Sequence, residues 1–197
     1  GVLGCMAERL QEGLLQDGLA DLVVGPDSYR DFPRLADGLM RRYDDDVDFD
    51  IDTYAVNVQL SLDETYADID PIRPNKEDIS AFVSIQRGCA NRCSFCIVPF
   101  TRGQERSRPL DSIMDEIRRL HFEQNIKEVT LLGQNVNSYH DVSEAALEAN
   151  PLSRYRMSND GFRSRIRRQD GGFFLADLVA QVSDLSPELR VRFTSPH

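Results

Sequence analysis

Cationic side chains are in the minority in this 197-residue sequence, which has 23 lysines and arginines against 33 aspartates and glutamates. The formal net charge of −10 argues against bulk electrostatic capture of nucleic acid, which depends on cations that neutralise phosphates. Long apolar runs are also missing. None approaches the roughly 18–20 residues that span a bilayer, so no membrane partner is predicted. The opening segment GVLGCMAERL has neither a basic stretch nor a small-residue cleavage site, which argues against a secretory signal.

Cysteine and histidine are scarce, with four and three residues. Because no signal peptide accompanies them, the four cysteines do not suggest a disulfide framework, and a reducing compartment suits them better. Cys89, Cys93 and Cys96 fall within eight residues, whereas Cys5 stands alone. This clustering marks one chemically distinctive segment in an ordinary globular composition of 41% apolar and 28% charged residues.

The first two of three regions differ sharply in composition. Residues 1–43 predict a strand end, a helix with Met6, Leu10 and Leu14 on one face, a buried strand and a second helix, which together are typical of the end of an open parallel α/β domain. Residues 44–78 predict an acidic linker. Six aspartates lie between residues 44 and 52, where self-repulsion favours a solvated loop over a cation site.

The third region, residues 79–197, alternates strand and helix patterns. Strands are predicted at residues 81–87, 128–133 and 190–195, and helices at 110–124 and 173–185. The predicted core positions of the two helices are Ile113, Ile117, Leu120, Leu175, Leu178, Val179 and Val182. Repeated β-loop-α units at this spacing indicate an α/β fold in which the first half of a partial (β/α) barrel follows the N-terminal domain. Three strands are too few to close a barrel, so we expect the sequence to be a fragment.

The cysteine loop follows the first predicted strand of this region as C-x3-C-x2-C. Three thiolates can wrap one iron–sulfur cubane and leave its fourth iron open, which is the mark of a site that does chemistry. A structural zinc site is the less favoured alternative because His121 and His140 lie far along the chain, and free thiols or a disulfide are another. The spacing, with Phe95 directly before the last cysteine, is typical of the [4Fe–4S] cluster of radical S-adenosylmethionine (SAM) enzymes.

Longer motifs around the cysteines narrow the family. The segments GCMAERL, DLVVGPDSYRDFPRL, LSLDETYAD, AFVSIQRGC, CSFCIVPFTRGQERSRP, EVTLLGQNVNSY and RVRFTSPH resemble those of MiaB-type tRNA methylthiotransferases. They are most similar to the eukaryotic subgroup named for association with a regulatory subunit of cyclin-dependent kinase five. The resemblance implies radical SAM chemistry that converts N6-isopentenyladenosine at position 37 of tRNA to its 2-methylthio derivative. It also implies two [4Fe–4S] clusters, the tRNA anticodon stem-loop as substrate and an electron donor protein.

The resemblance carries over to particular residues. Cys89, Cys93 and Cys96 would hold the SAM-binding cluster, and Cys5 matches the last of three cysteines that hold an auxiliary cluster in the N-terminal domain. The other two would precede Gly1, so we expect this chain alone to be inactive. The eukaryotic likeness implies the mitochondrial matrix, and otherwise the cytoplasm.

Further candidates keep two interpretations each. Gly133, Gln134 and Asn135 match the position at which radical SAM enzymes contact the methionine amino group, but turn chemistry would also explain them. Phe95 is predicted either to lie against the adenine of SAM or to pack over the cluster. Arg102, with Arg106 and Arg108, suits a carboxylate or phosphate contact, or belongs to an ordinary surface loop.

Six arginines with interleaved aromatics between Arg154 and Arg168 suit RNA contact, although a disordered loop is the favoured interpretation. Two alternative functions remain open at this point. One is methylthiolation of threonylcarbamoyl-adenosine in tRNA or of a ribosomal protein, and the other is a non-catalytic kinase-regulatory role.

Overall fold

The computed structural model describes residues 1–45, 56–61, 75, 77–151 and 171–196. The chain divides into two compact units. The first unit consists of Gly1–Thr65 and Gly88–Arg106, and the second of Tyr66–Arg87 and Ser107–His197. The cysteine loop therefore belongs to the first unit. The predicted domain boundaries, at residues 43/44 and 78/79, stay predictions.

Strands and helices alternate along the chain. The strands are β1 Val2–Leu3, β2 Val23–Val24, β3 Val56–Asn57, β4 Ser80–Ser84, β5 Gln86–Arg87, β6 Arg106–Ser107, β7 Glu128–Leu132, β8 His140–Asp141, β9 Phe173–Phe174 and β10 Arg190–Phe193. The α-helices are α1 Cys5–Leu10, α2 Gly13–Gln16, α3 Phe32–Asp45, α4 Val98–Thr101, α5 Leu110–Arg118, α6 Glu144–Ala149 and α7 Leu175–Asp184. A π-helical turn, Arg119–Glu123, continues α5. No helix in the described ranges is long and apolar enough to cross a membrane.

In the first unit, β1, β2 and β3 form a parallel sheet with β2 in the centre. Successive side chains of a strand point to opposite faces. Val23 accordingly packs with Ala7 and Leu14, whereas Val24 packs with Leu22 and Leu35. Helices thus cover this short sheet on both sides, as the parallel α/β prediction requires.

The predicted apolar face of the first helix is wrong. Met6 and Leu10 are 54% and 45% exposed, and Ala7 takes the buried position of α1. The helix ends at Leu10 because Gln11 adopts a positive φ of 47°, and α2 then begins as a separate helix that buries Leu14. The break destroys the helical spacing on which the prediction depended.

In the second unit, β7 lies between β4 and β10 in a second parallel sheet, and the α/β fold class is confirmed. The predicted core positions are confirmed: Ile113, Ile117, Leu120, Leu178 and Val182 are buried, and Leu175 and Val179 pack against them. Phe173–Phe174, predicted as the start of a helix, instead pairs antiparallel with β8. Helix α7 begins after it because the Asp177 carboxylate accepts a hydrogen bond from Phe174 N–H at 2.8 Å.

Two predicted segments fall outside the described residues. These are most of the acidic run, residues 46–52, and the arginine-rich segment between Arg154 and Arg168.

Candidate cluster site

The cysteine loop is closed at its two ends by backbone contacts. Gly88 has a φ of +74°, and a side chain there would overlap the backbone of Gly103 and Gln104. Cys89 N–H donates to the Gly103 carbonyl at 3.3 Å. Glycine is therefore required at the entry of the loop, both for its backbone conformation and for the close approach of the returning chain.

Tight turns inside the loop bring the cysteines around one space. Cys96 N–H donates to the Cys93 carbonyl at 3.0 Å, and α4 follows at once with Pro99 in its first turn, where a missing N–H is tolerated. Cys89, Cys93 and Cys96 all line one cavity of about 380 Å³. The structure thus brings the three predicted ligands together.

The donor set of the cavity, three cysteines, is one that iron–sulfur clusters use. Within the described ranges none of the three cysteines forms a disulfide; Cys89 is buried and the other two are half-buried. Across the described part of the chain, no three cysteine, histidine, aspartate or glutamate side chains are grouped so that they could hold one metal ion. A [4Fe–4S] cluster is held by cysteine thiolates, and all three cysteines line the same cavity. The three residues therefore fit a [4Fe–4S] cluster.

The aromatic side chains of the loop face outward. Phe95 is 92% exposed and Phe100, which lines the cavity, is 74% exposed. Whether Phe95 meets an adenine ring or covers the cluster stays a prediction.

Cys5 lies elsewhere in the first unit, as the first residue of α1. The Nε–H of Arg102 donates a hydrogen bond to its Sγ at 3.1 Å, although the two residues are 97 positions apart in sequence. The structure therefore joins two predicted site residues that sequence reasoning had given to different ligands.

The interpretation of Arg106 and Arg108 as surface arginines is wrong, because both are buried in ion pairs. Arg106 pairs with Asp27 at 2.8 Å in the first unit, and Arg108 pairs with Glu116 at 2.6 Å in the second. Both arginines also donate to backbone carbonyls. Their guanidinium groups satisfy buried acceptors of the protein itself. No sequence signal identified Asp27, which lies 79 positions from its partner.

Glu8 is a further buried carboxyl group of the first unit. It is 6% exposed, and its Oε2 has no hydrogen-bond partner within the described ranges. Burial, together with the smaller effect of the negative charge of Asp27, raises the pKa of Glu8 to about 7. Sequence reasoning missed this group because a glutamate in a helix is ordinarily solvated.

Gly133, Gln134 and Asn135 follow β7 at the carboxyl edge of the second unit's sheet. Gln86, buried after β4, donates from Nε2 to Ser138 Oγ, and Ser138 Oγ donates to the Asn135 carbonyl. Two buried oxygens, Gln86 Oε1 and Asn135 Oδ1, have no partner among the described residues. A side chain at Gly133 would lie 3.0 Å from the first of them. The carboxyl edge of this sheet therefore has two buried oxygens without a hydrogen-bond partner in the described ranges, and one of them belongs to the predicted site residue Asn135.

The segment that contains the cysteine loop matches a known family. Residues 83–170 match the sequence model of the radical SAM superfamily. This segment contains the three cysteines of the cavity.

Beyond that segment, the whole chain is similar to methylthiotransferases. It is 52% identical over 198 residues to the mitochondrial tRNA methylthiotransferase CDK5RAP1 of Mus musculus and 48% identical over 202 residues to a CDK5RAP1-like protein of Caenorhabditis elegans. It is also 48% identical over 198 residues to the tRNA-2-methylthio-N(6)-dimethylallyladenosine synthase of Amoebophilus asiaticus. Each match covers 100% of this chain but only 31%, 34% and 36% of the relative, so the chain spans about a third of their length. The resemblance to the MiaB type and its eukaryotic subgroup is confirmed.

Proposed function

We propose that this chain functions in tRNA methylthiolation, as a radical SAM enzyme that converts N6-isopentenyladenosine at position 37 to its 2-methylthio derivative. The observation that carries the proposal is the closed loop in which Cys89, Cys93 and Cys96 line one cavity within the radical SAM segment. The names of the mouse and Amoebophilus relatives support the reaction and the dimethylallyladenosine substrate. Position 37 follows from the motif resemblance.

The chain's own residues would act by binding and positioning. Cys89, Cys93 and Cys96 would hold the cluster as thiolates, and the contact between Cys89 and Gly103 would keep the loop closed around it. A cluster held there would supply, with SAM and one electron from a donor, the reductive cleavage of SAM and hydrogen abstraction from the base. Asn135 Oδ1 is a buried acceptor, and the methionine ammonium of SAM is a donor that would satisfy it.

The names of the relatives support tRNA as the substrate, whereas the anticodon stem-loop and the electron donor are what the motif resemblance implies. The tRNA anticodon stem-loop would be the substrate, and an electron donor protein would reduce the cluster. The relatives named mitochondrial favour the mitochondrial matrix.

The test is performed with the full-length protein, reconstituted anaerobically with iron and sulfide. Iron analysis, SAM cleavage and mass spectrometry of an isopentenylated tRNA are measured for the wild type and for Cys93→Ala. We expect the variant to lose one cluster's iron, SAM cleavage and the methylthio product. Cys93→Ser serves as a control of similar size with an oxygen in place of sulfur, and it should fail likewise. Full iron content and product formation in Cys93→Ala would contradict the proposal.

The same assay distinguishes isopentenylated tRNA from the alternative substrates. Supplying tRNA that carries threonylcarbamoyl-adenosine, or the ribosomal protein, in place of isopentenylated tRNA should give no product. Product from one of these and none from isopentenylated tRNA would leave the reaction class intact and replace the substrate.

A further inference from the structure

The short helix α4 buries a threonine and exposes a phenylalanine. Thr101 is 1% exposed, whereas its neighbour Phe100 is 74% exposed. This is the reverse of the usual preference, because phenylalanine is among the residues most often buried and threonine is mostly exposed. Phe100 also lines the cavity of the three cysteines. The ring is therefore presented to solvent at the site that would hold a cluster.

The backbone around Phe100 fixes the direction of its side chain. Phe100 N–H donates to the Ile97 carbonyl at 3.0 Å, and Thr101 Oγ1 donates to the same carbonyl at 3.3 Å. Arg102 N–H donates to the Val98 carbonyl at 2.8 Å and closes the turn. Adjacent side chains of a helix point about 100° apart, so a buried Thr101 turns Phe100 outward. The ring is thus held in place before a ligand binds, which lowers the ordering cost of binding.

An exposed cation lines the same cavity. The side chain of Arg92 is exposed, and within the described ranges its guanidinium group has no hydrogen-bond or ion-pair partner. Arg106 and Arg108, by contrast, pair with buried carboxylates. A guanidinium group without a partner suits phosphate oxygens. The cavity therefore presents an aromatic ring and a cation together, which is the combination that binds unstacked bases and the backbone of single-stranded RNA.

We propose that Phe100 and Arg92 form a contact surface for the tRNA substrate, in which Phe100 stacks on a base and Arg92 contacts a phosphate. The proposal deepens the proposed function and rests on it. A base whose position 2 is to reach the cavity must leave the stack of its RNA neighbours, and an aromatic ring at the cavity replaces part of the stacking that is lost. SAM also has an adenine ring, but it carries no phosphate and its sulfonium is itself cationic. Arg92 therefore favours RNA as the occupant of this surface.

The experiment uses the full-length protein, reconstituted with iron and sulfide, and an anticodon stem-loop RNA that carries N6-isopentenyladenosine. The dissociation constant of the RNA is measured by fluorescence anisotropy, SAM affinity by calorimetry and iron by chemical analysis. We expect Phe100→Leu, which stays apolar but loses the aromatic face, to weaken RNA binding roughly 5- to 100-fold with iron and SAM affinity unchanged. Phe100→Tyr keeps the ring and should bind like the wild type. Phe122→Leu removes a phenylalanine of the second unit that is 64% exposed and should change none of these quantities.

The phosphate contact is tested separately with Arg92→Ala. RNA binding of this variant should be weaker, and the slope of the logarithm of the binding constant against the logarithm of the salt concentration should fall by about one. Phe100→Leu should leave that slope unchanged, because stacking releases no counterion. Arg41→Ala removes an exposed arginine of α3 in the same unit and should also leave the slope unchanged.

The outcomes separate this surface from the proposed function. RNA affinity that is unchanged in Phe100→Leu, or a salt slope that is unchanged in Arg92→Ala, refutes the contact surface and leaves the proposed function standing. Weaker SAM binding with unchanged RNA affinity in Phe100→Leu assigns the ring to the adenine of SAM and also overturns the proposal. If Phe100→Leu loses iron, the salt slope of Arg92→Ala decides. Failure of the wild type to bind or convert the isopentenylated RNA refutes the proposed function itself.

Discussion

Replacing Glu8 by glutamine should stabilise the protein at neutral and alkaline pH but not in acid. Glu8 is 6% exposed on α1, and its Oε2 lacks a hydrogen-bond partner in the described part of the chain. Gln keeps the size of the side chain and removes the ionisable group. The substitution therefore isolates the cost of a buried negative charge beside Asp27.

The sign and size of the change in the free energy of unfolding follow from the raised pKa of Glu8. In the unfolded chain the carboxyl ionises near 4.5, and in the folded protein near about 7. Between these values the unfolded chain has released a proton that the folded protein retains, so the free energy of unfolding falls as pH rises. Below pH 4.5 the ionisation of Glu8 does not lower the free energy of unfolding, and above about pH 7 it lowers it by the full amount. The difference corresponds to roughly 3 kcal/mol.

The measurement is urea unfolding of the apo-protein, followed by far-UV circular dichroism across this pH range. The free energy of unfolding of Glu8→Gln should exceed that of the wild type by up to roughly 3 kcal/mol at the alkaline end and equal it at the acidic end. Glu12→Gln, an exposed neighbour, controls for the loss of one charge. A gap between Glu8→Gln and the wild type that does not change with pH would refute the reasoning.

Two further substitutions test the loop and the sheet edge. Gly88→Ala forces a side chain into a positive φ of 74° and into the backbone of Gln104, so it should cost at least roughly 1–2 kcal/mol and lower the iron content after reconstitution. Gly13→Ala, with no atom within 4 Å of the added carbon, is the control, and equal iron content in both variants would contradict the loop-closure argument. Asn135→Ala should weaken SAM binding, measured by calorimetry on the full-length enzyme, without loss of iron. SAM affinity that is unaltered in both Asn135→Ala and Gln134→Ala would reduce the pair to turn residues.

Periodic patterns predicted the second unit well and the first less well. The strands over β4, β7 and β10 and the buried faces of α5 and α7 follow from alternation and helical spacing, since each element is long enough to show its period. In the first unit, α1 and α2 have 6 and 4 residues, and a positive φ at Gln11 separates them. A run of apolar residues across that break looks like one amphipathic helix, although only Leu14 of the three predicted positions is buried.

Some residues of the candidate site were predictable from the sequence and others were not. Cys89, Cys93 and Cys96 were predictable because their chemistry depends on local spacing, and the structure places them around one cavity. Gln86 was not predictable. Its hydrogen-bond link to Asn135 runs through Ser138, which lies 52 positions from Gln86 along the chain. Contacts of this kind depend on which strands lie side by side at a sheet edge, and no local pattern of residue types reports that.

Arg102 shows why a correct motif can still leave the role of a residue open. In TRGQERSRP the sequence presents three arginines that look equivalent, and guanidinium chemistry alone permits a ligand, a phosphate or a surface role for each. The fold distinguishes them by partner. Arg106 and Arg108 meet buried carboxylates, whereas the Nε–H of Arg102 meets a sulfur. The carboxylates at hydrogen-bond distance identify Arg106 and Arg108 as partners of buried charges, which their similar places in the motif do not predict. The role of each arginine therefore depends on the partner that the fold brings to it, and the motif alone does not report that partner.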